Sequence, residues 1–175
     1  MAVLSLRLYP DPLLKTPSVE VPRITGAIEQ HIRDMIESMH AFPRCVGLAA
    51  PQVGIPLRIA VVDVSKHPKT KHHHGLIVLV NPQLLEGSGE RLVREGCASV
   101  PDYTGNVQRF EKVVISAWNE RGRSVTLRAE GFEAVALQHE LDHLNGLLFL
   151  DRLAPQDLFP RKRYGRFRRP HPGSQ

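Results

Sequence analysis

The segment FEAVALQHELDHL, residues 132–144, carries a His-Glu-x-x-His string at positions 139–143. Gly131 precedes the segment and Asn145-Gly146 follows it, which predicts a single helix between these breaks. At about 100° per residue, the two histidines lie about 40° apart on such a helix, and Glu140 lies about 60° beyond the second one. Two ring nitrogens can then bind one metal ion while the carboxylate reaches a neighbouring water. The pattern indicates a metal-dependent hydrolase.

The apolar residues of this helix share a face with its histidines. Phe132, Val135 and Ala136 precede His139 by seven, four and three residues, so the metal is expected to look onto an apolar wall. Ordinary core packing is the alternative interpretation of these three residues. If they line a pocket, the recognised group of the substrate is hydrophobic.

A catalytic metal site usually takes three protein ligands and leaves one position open. Cys97, in the string Glu95-Gly96-Cys97-Ala98-Ser99, is the best third candidate, because a thiolate is a soft ligand and the glycine before it allows close backbone approach. The histidines at 72–74 are expected in a solvated, Lys-rich loop, residues 65–75.

A second loop, GLAAPQ at residues 47–52, combines small side chains with a terminal amide. A substrate can lie against its bare backbone, and Gln52 can donate a hydrogen bond to a developing oxyanion. A tight packing turn with a surface Gln is the alternative interpretation.

The distribution of predicted elements favours an α+β fold. Apolar residues spaced by three and four between Ile24 and Met39 predict an N-terminal amphipathic helix that ends at Pro43. Short β-branched runs predict strands that form a mixed or antiparallel sheet around the late metal-binding helix, at residues 58–64, 76–80, 84–93, 112–118 and 124–128.

The 175 residues suit one domain, and the excess positive charge is concentrated at one end. The net charge is +5, but the stretch 161–175 holds six basic residues and no acid, which leaves the remainder nearly neutral. We therefore expect a catalytic domain of residues 1–160 and a basic, disordered tail of residues 161–175. Two cysteines, no membrane-length apolar run and no secretion signal favour a reducing cytoplasm.

Taken in order, Gly-Leu-Ala-Ala-Pro-Gln, Glu-Gly-Cys-x-Ser and Gln-His-Glu-x-Asp-His resemble the strings of peptide deformylase. The resemblance extends from Tyr9 to about Asp151. It implies an α+β fold, one divalent ion, and a cytoplasmic hydrolase of protein biosynthesis that removes the formyl group from N-formylmethionyl nascent peptides. Fe²⁺ is the expected ion by resemblance, with Zn²⁺, Ni²⁺ and Co²⁺ as further occupants.

The resemblance also implies a role for individual residues. Cys97, His139 and His143 would be the metal ligands and Glu140 the general acid and base, while Gln52 and the backbone N–H of Ala98 would hold the oxyanion. The methionine side chain would contact Val46, Gly47, Phe132, Val135 and Ala136. Apart from the resemblance, ligand histidines usually donate their other ring nitrogen to an acceptor, and the candidates to support the ligands are Glu95, Arg109, Gln138 and Asp142. An ordinary surface or structural role is the alternative interpretation of each.

Three positions depart from the family's pattern. Cys45 stands where the family often has Gly, Ala98 replaces a bulkier apolar residue, and Thr104 replaces an Arg near the substrate backbone. Only the backbone N–H of residue 98 is needed for the oxyanion, so the chemistry is expected to survive the change to Ala98. The strength of peptide binding stays open.

Two rival functions and one partner stay open at this point. A zinc peptidase that cuts internal bonds shares the His-Glu-x-x-His string, although Cys97 argues against it. A non-catalytic protein could use the metal to stabilise its fold, but that requires four protein ligands. The basic tail could contact ribosomal RNA, with a simple solubilising role as the alternative.

Overall fold

The computed structural model describes residues 3–161, so all of the predicted tail except Arg161 lies outside the described residues. Six strands form one antiparallel sheet in the order β1-β2-β3-β4-β5, with β6 paired to β4. Their bounds are Gly47–Ala49 (β1), Ile59–Val62 (β2), Ile77–Cys97 (β3), Val100–Trp118 (β4), Ser124–Glu130 (β5) and Leu158–Pro160 (β6). Together with two α-helices, Gly26–Ala41 (α1) and Gly131–Leu144 (α2), the sheet makes the fold α+β.

Strands β3 and β4 form one long hairpin whose tip is built for a close turn. Cys97 pairs with Val100, which leaves Ala98 and Ser99 as the two turn residues. The predicted strands 76–80 and 84–93 form a single strand in the structure. A register shift between Val80 and Gln83 accommodates Asn81 and Pro82, so the pairing with β4 continues beyond them.

The second edge of β4 is shared by two partners. β5 pairs with residues 112–118 of β4, and β6 pairs with Tyr103, Thr104 and Gly105 nearer the hairpin tip. The short strands β1 and β6 were not predicted, because three residues are too few for a period-two pattern to register. β6 brings residues from beyond residue 157 to the tip where Cys97 lies.

Helix α2 is buried nearly all round because it packs against strands β1, β2, β4 and β5. Ala134, Leu137 and Leu141 contact a core that includes Val113 and Ile115. The helix ends at Leu144, and Gly146 takes the left-handed conformation (φ +72°) that the sequence predicts for a helix stop.

Helix α1 packs on the opposite face of β2. Thr25 Oγ1 accepts the N–H of Ile28 at the start of the helix, and the chain leaves the helix at Phe42, just before Pro43. Met35 and Met39 lie in a second core with Ile59 and Val61, whereas Val62 belongs to the core of α2. β2 is therefore apolar on both faces. Among the described helices, none combines the length and apolar character that crossing a bilayer requires.

Candidate metal centre

Three side chains converge where the tip of the β3–β4 hairpin meets α2. Cys97, His139 and His143 each offer one donor atom, and these atoms all lie within 4.8 Å of one another. Sγ of Cys97 is 3.3 Å from Nε2 of His143, and both residues are buried. A thiolate and two imidazoles at this separation suit a first-row divalent ion that binds sulfur and nitrogen.

Glu95 orients the first histidine. Its Oε2 lies 2.9 Å from Nδ1 of His139, which turns Nε2 of that ring toward Cys97. Arg109 holds the same carboxylate with two hydrogen bonds, from Nε at 2.6 Å and from Nη2 at 3.0 Å. The Nη1 of Arg109 then donates to Asp142 at 2.7 Å, and Asp142 also accepts from Arg152. Glu95, Arg109 and Asp142 thus form one buried network behind the ligands.

Gln138 has a different task from the other predicted supporting residues. Its Oε1 accepts the N–H of Phe110 at 3.0 Å, and its Nε2 donates to the Phe110 carbonyl at 2.9 Å. This pair of bonds attaches α2 to β4, so Gln138 fixes the position of the helix instead of contacting a ligand.

The electrostatics of the cluster favour the ligand form of the cysteine. Burial alone would raise the pKa of the Cys97 thiol, but the adjacent His143 and His139 outweigh burial and hold the pKa well below its ordinary value. Glu95 behaves similarly, because hydrogen bonds from His139 and Arg109 overcome its burial and lower its pKa to about 2. The cluster therefore combines a thiolate with an ionised supporting carboxylate.

Glu140 lies beside the cluster with one free oxygen. The residue is 3% exposed, and within the described part of the chain its Oε2 has no hydrogen-bond partner. Burial raises its pKa to about 7, although His139 and His143 act in the opposite direction. A carboxyl group with a pKa near neutrality can both take up and release a proton, which suits general acid and base catalysis.

Gln52 is clamped at both ends of its amide. Oε1 accepts the N–H of Ala49 at 2.9 Å, and Nε2 donates to Ser99 Oγ at 3.1 Å while lying 3.6 Å from Cys97 Sγ. These partners fix the NH₂ end toward the metal cluster. A preorganised donor of this kind can stabilise negative charge without reorganising during the reaction.

The N-terminal segment that contains Arg7 and Tyr9 connects the loop of Gln52 to the tip of the β3–β4 hairpin. The N–H of Arg7 donates to the Gln52 carbonyl at 2.7 Å, and the N–H of Tyr9 donates to the Ser99 carbonyl at 2.9 Å. Gln52 and the hairpin tip are thus held at a set separation by backbone bonds from a third segment.

A cavity of about 910 Å³ opens in front of the cluster. His143 lies behind it, and every other predicted site residue lines it: Val46, Gly47, Gln52, Cys97, Ala98, Phe132, Val135, Ala136, His139 and Glu140. The structure therefore brings together the three sequence strings that lie far apart along the chain.

The family model for polypeptide deformylase matches residues 3–158. The chain belongs to this family. It is 45% identical over 164 residues to the peptide deformylase of Syntrophobacter fumaroxidans, covering 93% of this chain and 94% of that one. With the peptide deformylase of Halothermothrix orenii it shares 46% identity over 153 residues, covering 87% and 95%.

Solved deformylase structures agree with this assignment. The Legionella pneumophila enzyme superposes with a TM-score of 0.80 at 38% identity, covering 89% of this chain and 88% of that one. The Thermotoga maritima enzyme gives 0.80 at 35% identity, covering 89% and 100%. As a member of the deformylase family, the chain is a metal-dependent hydrolase that removes the N-formyl group from nascent peptides. The peptidase and metal-stabilised alternatives are not favoured.

Several residues around the deformylase cavity were not predicted to belong to it. His67 stacks on Phe132 with ring centroids 4.1 Å apart, and the loop 65–75 that carries it is fastened by His74, whose Nδ1 lies 2.7 Å from Glu133 Oε2. The loop is polar in sequence, so nothing in its composition distinguishes it from a solvated loop. The other residues missed are Pro43, Arg44, Lys69, Arg94, Phe159, Pro160 and Arg161.

Two departures from the deformylase pattern have a clear structural setting. The left-handed conformation near Cys45 falls on its neighbour Arg44 (φ 60°), so Cys45 carries its side chain without strain. Burial raises the pKa of the Cys45 thiol to about 12, and the thiol donates to the Gly47 carbonyl. Thr104 lines the cavity and accepts a hydrogen bond from Arg94.

Proposed function

We propose that Cys97, His139 and His143 hold one divalent ion, which makes α2 the metal-binding helix of this deformylase and its His-Glu-x-x-His string the ligand source. The observation that carries this proposal is the convergence of one sulfur and two ring nitrogens within 4.8 Å, beside the free carboxylate oxygen of Glu140. When bound, such an ion supplies a Lewis acid for water and for the formyl carbonyl. α1 serves as the amphipathic N-terminal helix that backs the sheet.

Glu140 is the proton carrier of the proposed mechanism. It takes a proton from the water that attacks the formyl carbon and passes it to the leaving amine nitrogen as the carbon–nitrogen bond breaks. Formate and a free α-amine are the products. Gln52 Nε2 and the N–H of Ala98 stabilise the negative charge that develops on the formyl oxygen, and each such donor is typically worth on the order of 3 kcal/mol.

The methionine side chain occupies the apolar part of the cavity. Val46, Phe132, Val135 and Ala136 form its walls, and Gly47 leaves its backbone accessible to the peptide. This assignment explains why an apolar face of α2 continues beyond the two histidines toward the start of the helix.

Fe²⁺ is the ion we propose, with Zn²⁺, Ni²⁺ and Co²⁺ as further occupants of a purified sample, since thiolate and imidazole ligands accept all four. We place the enzyme in the cytoplasm, where a free thiolate ligand stays reduced. Metal content and formate release after anaerobic purification test the ion. Iron-free protein with full activity would contradict the choice of iron.

We further propose a catalytic domain of residues 1–160 followed by a basic tail that contacts ribosomal RNA. Six basic residues support this contact: Arg161, Lys162, Arg163, Arg166, Arg168 and Arg169. Deleting residues 162–175 leaves Arg161 in the cavity. The truncated enzyme therefore tests ribosome binding by the tail without changing the lining of the cavity. Ribosome co-sedimentation that is unchanged by the deletion over a salt series would overturn the contact.

A pair of matched peptides tests the activity itself. Purified enzyme should release formate from a formyl-methionyl peptide and nothing from its N-acetylated twin, because the proposed activity removes only a formyl group. Mass spectrometry of both reactions detects any internal cleavage. Cleavage inside either peptide would support a peptidase instead.

A further inference from the structure

Four basic side chains surround the cavity in front of the metal cluster: Arg44, Lys69, Arg94 and Arg161. They come from four separate segments, namely the residues before β1, the loop 65–75, strand β3 and the residue after β6. All four are exposed to solvent. We call these four residues the basic rim.

The basic rim is not neutralised by acidic side chains. Of the described residues, the only acids that line the cavity are Glu95 and Glu140, and both are buried beneath the rim. Glu95 already accepts a hydrogen bond from Arg109 and lies within hydrogen-bond distance of His139. None of the ion pairs within residues 3–161 includes a residue of the basic rim. The mouth of the cavity therefore carries an excess of positive charge.

Two members of the basic rim are held in place by the strand pairing of β6. The guanidinium of Arg94 lies over the ring of Phe159 at 3.7 Å, and its Nη1 donates to Thr104 Oγ1 at 3.1 Å. The backbone N–H of Arg161 donates to the Asp102 carbonyl at 2.8 Å. These contacts fix the guanidinium of Arg94 and the backbone of Arg161 at the cavity, which lowers the entropy cost of using them to bind a ligand.

Arg161 also lies close in space to the strand that carries Cys97. Its Nη2 lies so near the α-carbon of Gly96 that a β-carbon added there would collide with it. Gly96 immediately precedes Cys97, so this guanidinium stands beside the strand that supplies the sulfur ligand.

We propose that the basic rim makes this enzyme prefer nascent chains with acidic side chains at the third and fourth residues. The inference rests on the proposed function, because the formyl group at the cluster and the methionine in the apolar walls determine where the following residues go. An extended chain advances about 3.3–3.6 Å per residue, so the next three residues cross the mouth of the cavity. Opposite charge across that mouth speeds productive encounter and discriminates against basic peptides.

A set of three peptides measures this preference. Formyl-Met-Ala-Glu-Glu, formyl-Met-Ala-Gln-Gln and formyl-Met-Ala-Lys-Lys, all amidated at the C-terminus, differ only in charge. We expect kcat/KM for formate release to fall in that order, with about a tenfold ratio between the Glu and Lys peptides at low salt. Raising the salt to about 0.5 M should bring the ratio toward one, because screening then acts within a few ångströms.

Variants assign the preference to the basic rim. Arg161→Gln and Lys69→Gln should each lower the Glu-to-Lys ratio by about twofold, since each removes one of four charges. The ratio is taken within one variant, so a general loss of activity cancels. Arg123→Gln, which removes an exposed charge outside the cavity, should keep the parental ratio. If Arg161→Gln disturbs the pairing of β6, Lys69→Gln still tests the basic rim, because Lys69 lies in a loop outside β6.

The outcomes distinguish failure of the proposed peptide preference from failure of the deformylase function. Release of formate from all three peptides at equal kcat/KM would overturn the preference and leave the deformylase function intact. The same conclusion follows if the ratio survives in both rim variants, or if the rim instead binds a polyanion such as RNA without discriminating the peptides. Failure to release formate even from the neutral peptide would overturn both.

Discussion

Gly47 lies directly against the carboxylate of Glu140, and no space for a side chain separates them. A β-carbon at residue 47 would collide with Oε1 of Glu140 and lie within 3.0 Å of its Cγ. The close approach, and not an unusual backbone angle, therefore explains the glycine at this position. Strand β1 acts as a wall that holds the proposed proton carrier beside the metal cluster.

Gly47→Ala is expected to lower kcat for formate release at least tenfold, because it displaces Glu140 from the attacking water. Gly26→Ala is the matched control, since a β-carbon at residue 26 meets nothing within 4 Å. Circular dichroism establishes that both variants are folded. Equal turnover of the two variants would show that the position of Glu140 tolerates this displacement.

Glu140→Gln keeps the size of the side chain and removes its ability to carry a proton. We expect kcat to fall by roughly 10²–10⁴-fold with metal content unchanged, because Glu140 is not a proposed ligand. Single-turnover formate release and metal analysis on the same sample measure both quantities. A variant as fast as the parent would remove Glu140 from the mechanism.

Glu95→Gln tests how far the buried network supports the ligands. Loss of the charged acceptor of His139 Nδ1 should weaken metal retention by roughly 10–100-fold in competition with a chelator. Glu90→Gln changes an exposed carboxylate on the same strand and provides the comparison. Identical chelator titrations for the two variants would mean that Cys97 and the histidines are oriented without Glu95.

Asp151 should contribute to stability in a pH-dependent way. Burial opposes the charged form, but hydrogen bonds from Lys15 Nζ at 2.5 Å and from the N–H of Leu148 at 2.7 Å outweigh it and lower the pKa from 3.8. Since the folded state holds the lower pKa, this contribution is present above about pH 4 and is lost as acid protonates the folded carboxylate.

Asp151→Asn is therefore expected to lower the free energy of unfolding by at most about 1 kcal/mol at neutral pH, because the side chain is 34% exposed and the pair is screened. The difference from the parent should be smaller near pH 3 than at neutral pH, because the contribution declines as the pH falls below about 4. Denaturant unfolding at both pH values measures it, with Glu86→Gln as an exposed control. A difference that grows on acidification would refute this sign.

The residues proposed for the site could be chosen from the sequence because their signals are chemical and local. His139 and His143 lie four residues apart on a helix, and a cysteine after a glycine was the best remaining soft ligand. Their convergence depends on the hairpin tip at Ala98-Ser99, which was not predicted, because the predicted strands stop at residue 93 and resume only at residue 112. The α+β class followed from the same spacing of apolar residues that now fills the two cores on either side of β2.

The rim of the cavity could not be predicted, because its contacts are long-range. His67 lies in a polar loop, and only the fold reveals that its ring stacks on Phe132 at the start of α2. Arg161 is the first residue of a stretch interpreted as a tail, yet the three residues before it pair with β4. A charged side chain looks the same in sequence whether it faces bulk water or the mouth of an active site.

The backbone bonds from Arg7 and Tyr9 have a practical consequence for anyone handling this enzyme. Arg7 and Tyr9 do not line the cavity, yet they set the distance between the clamped amide of Gln52 and the turn that presents Ala98. A fusion that disturbs these two backbone bonds is expected to change that distance and slow turnover while leaving every cavity residue unchanged. Kinetic comparisons among preparations are sound only when their leading segments are identical.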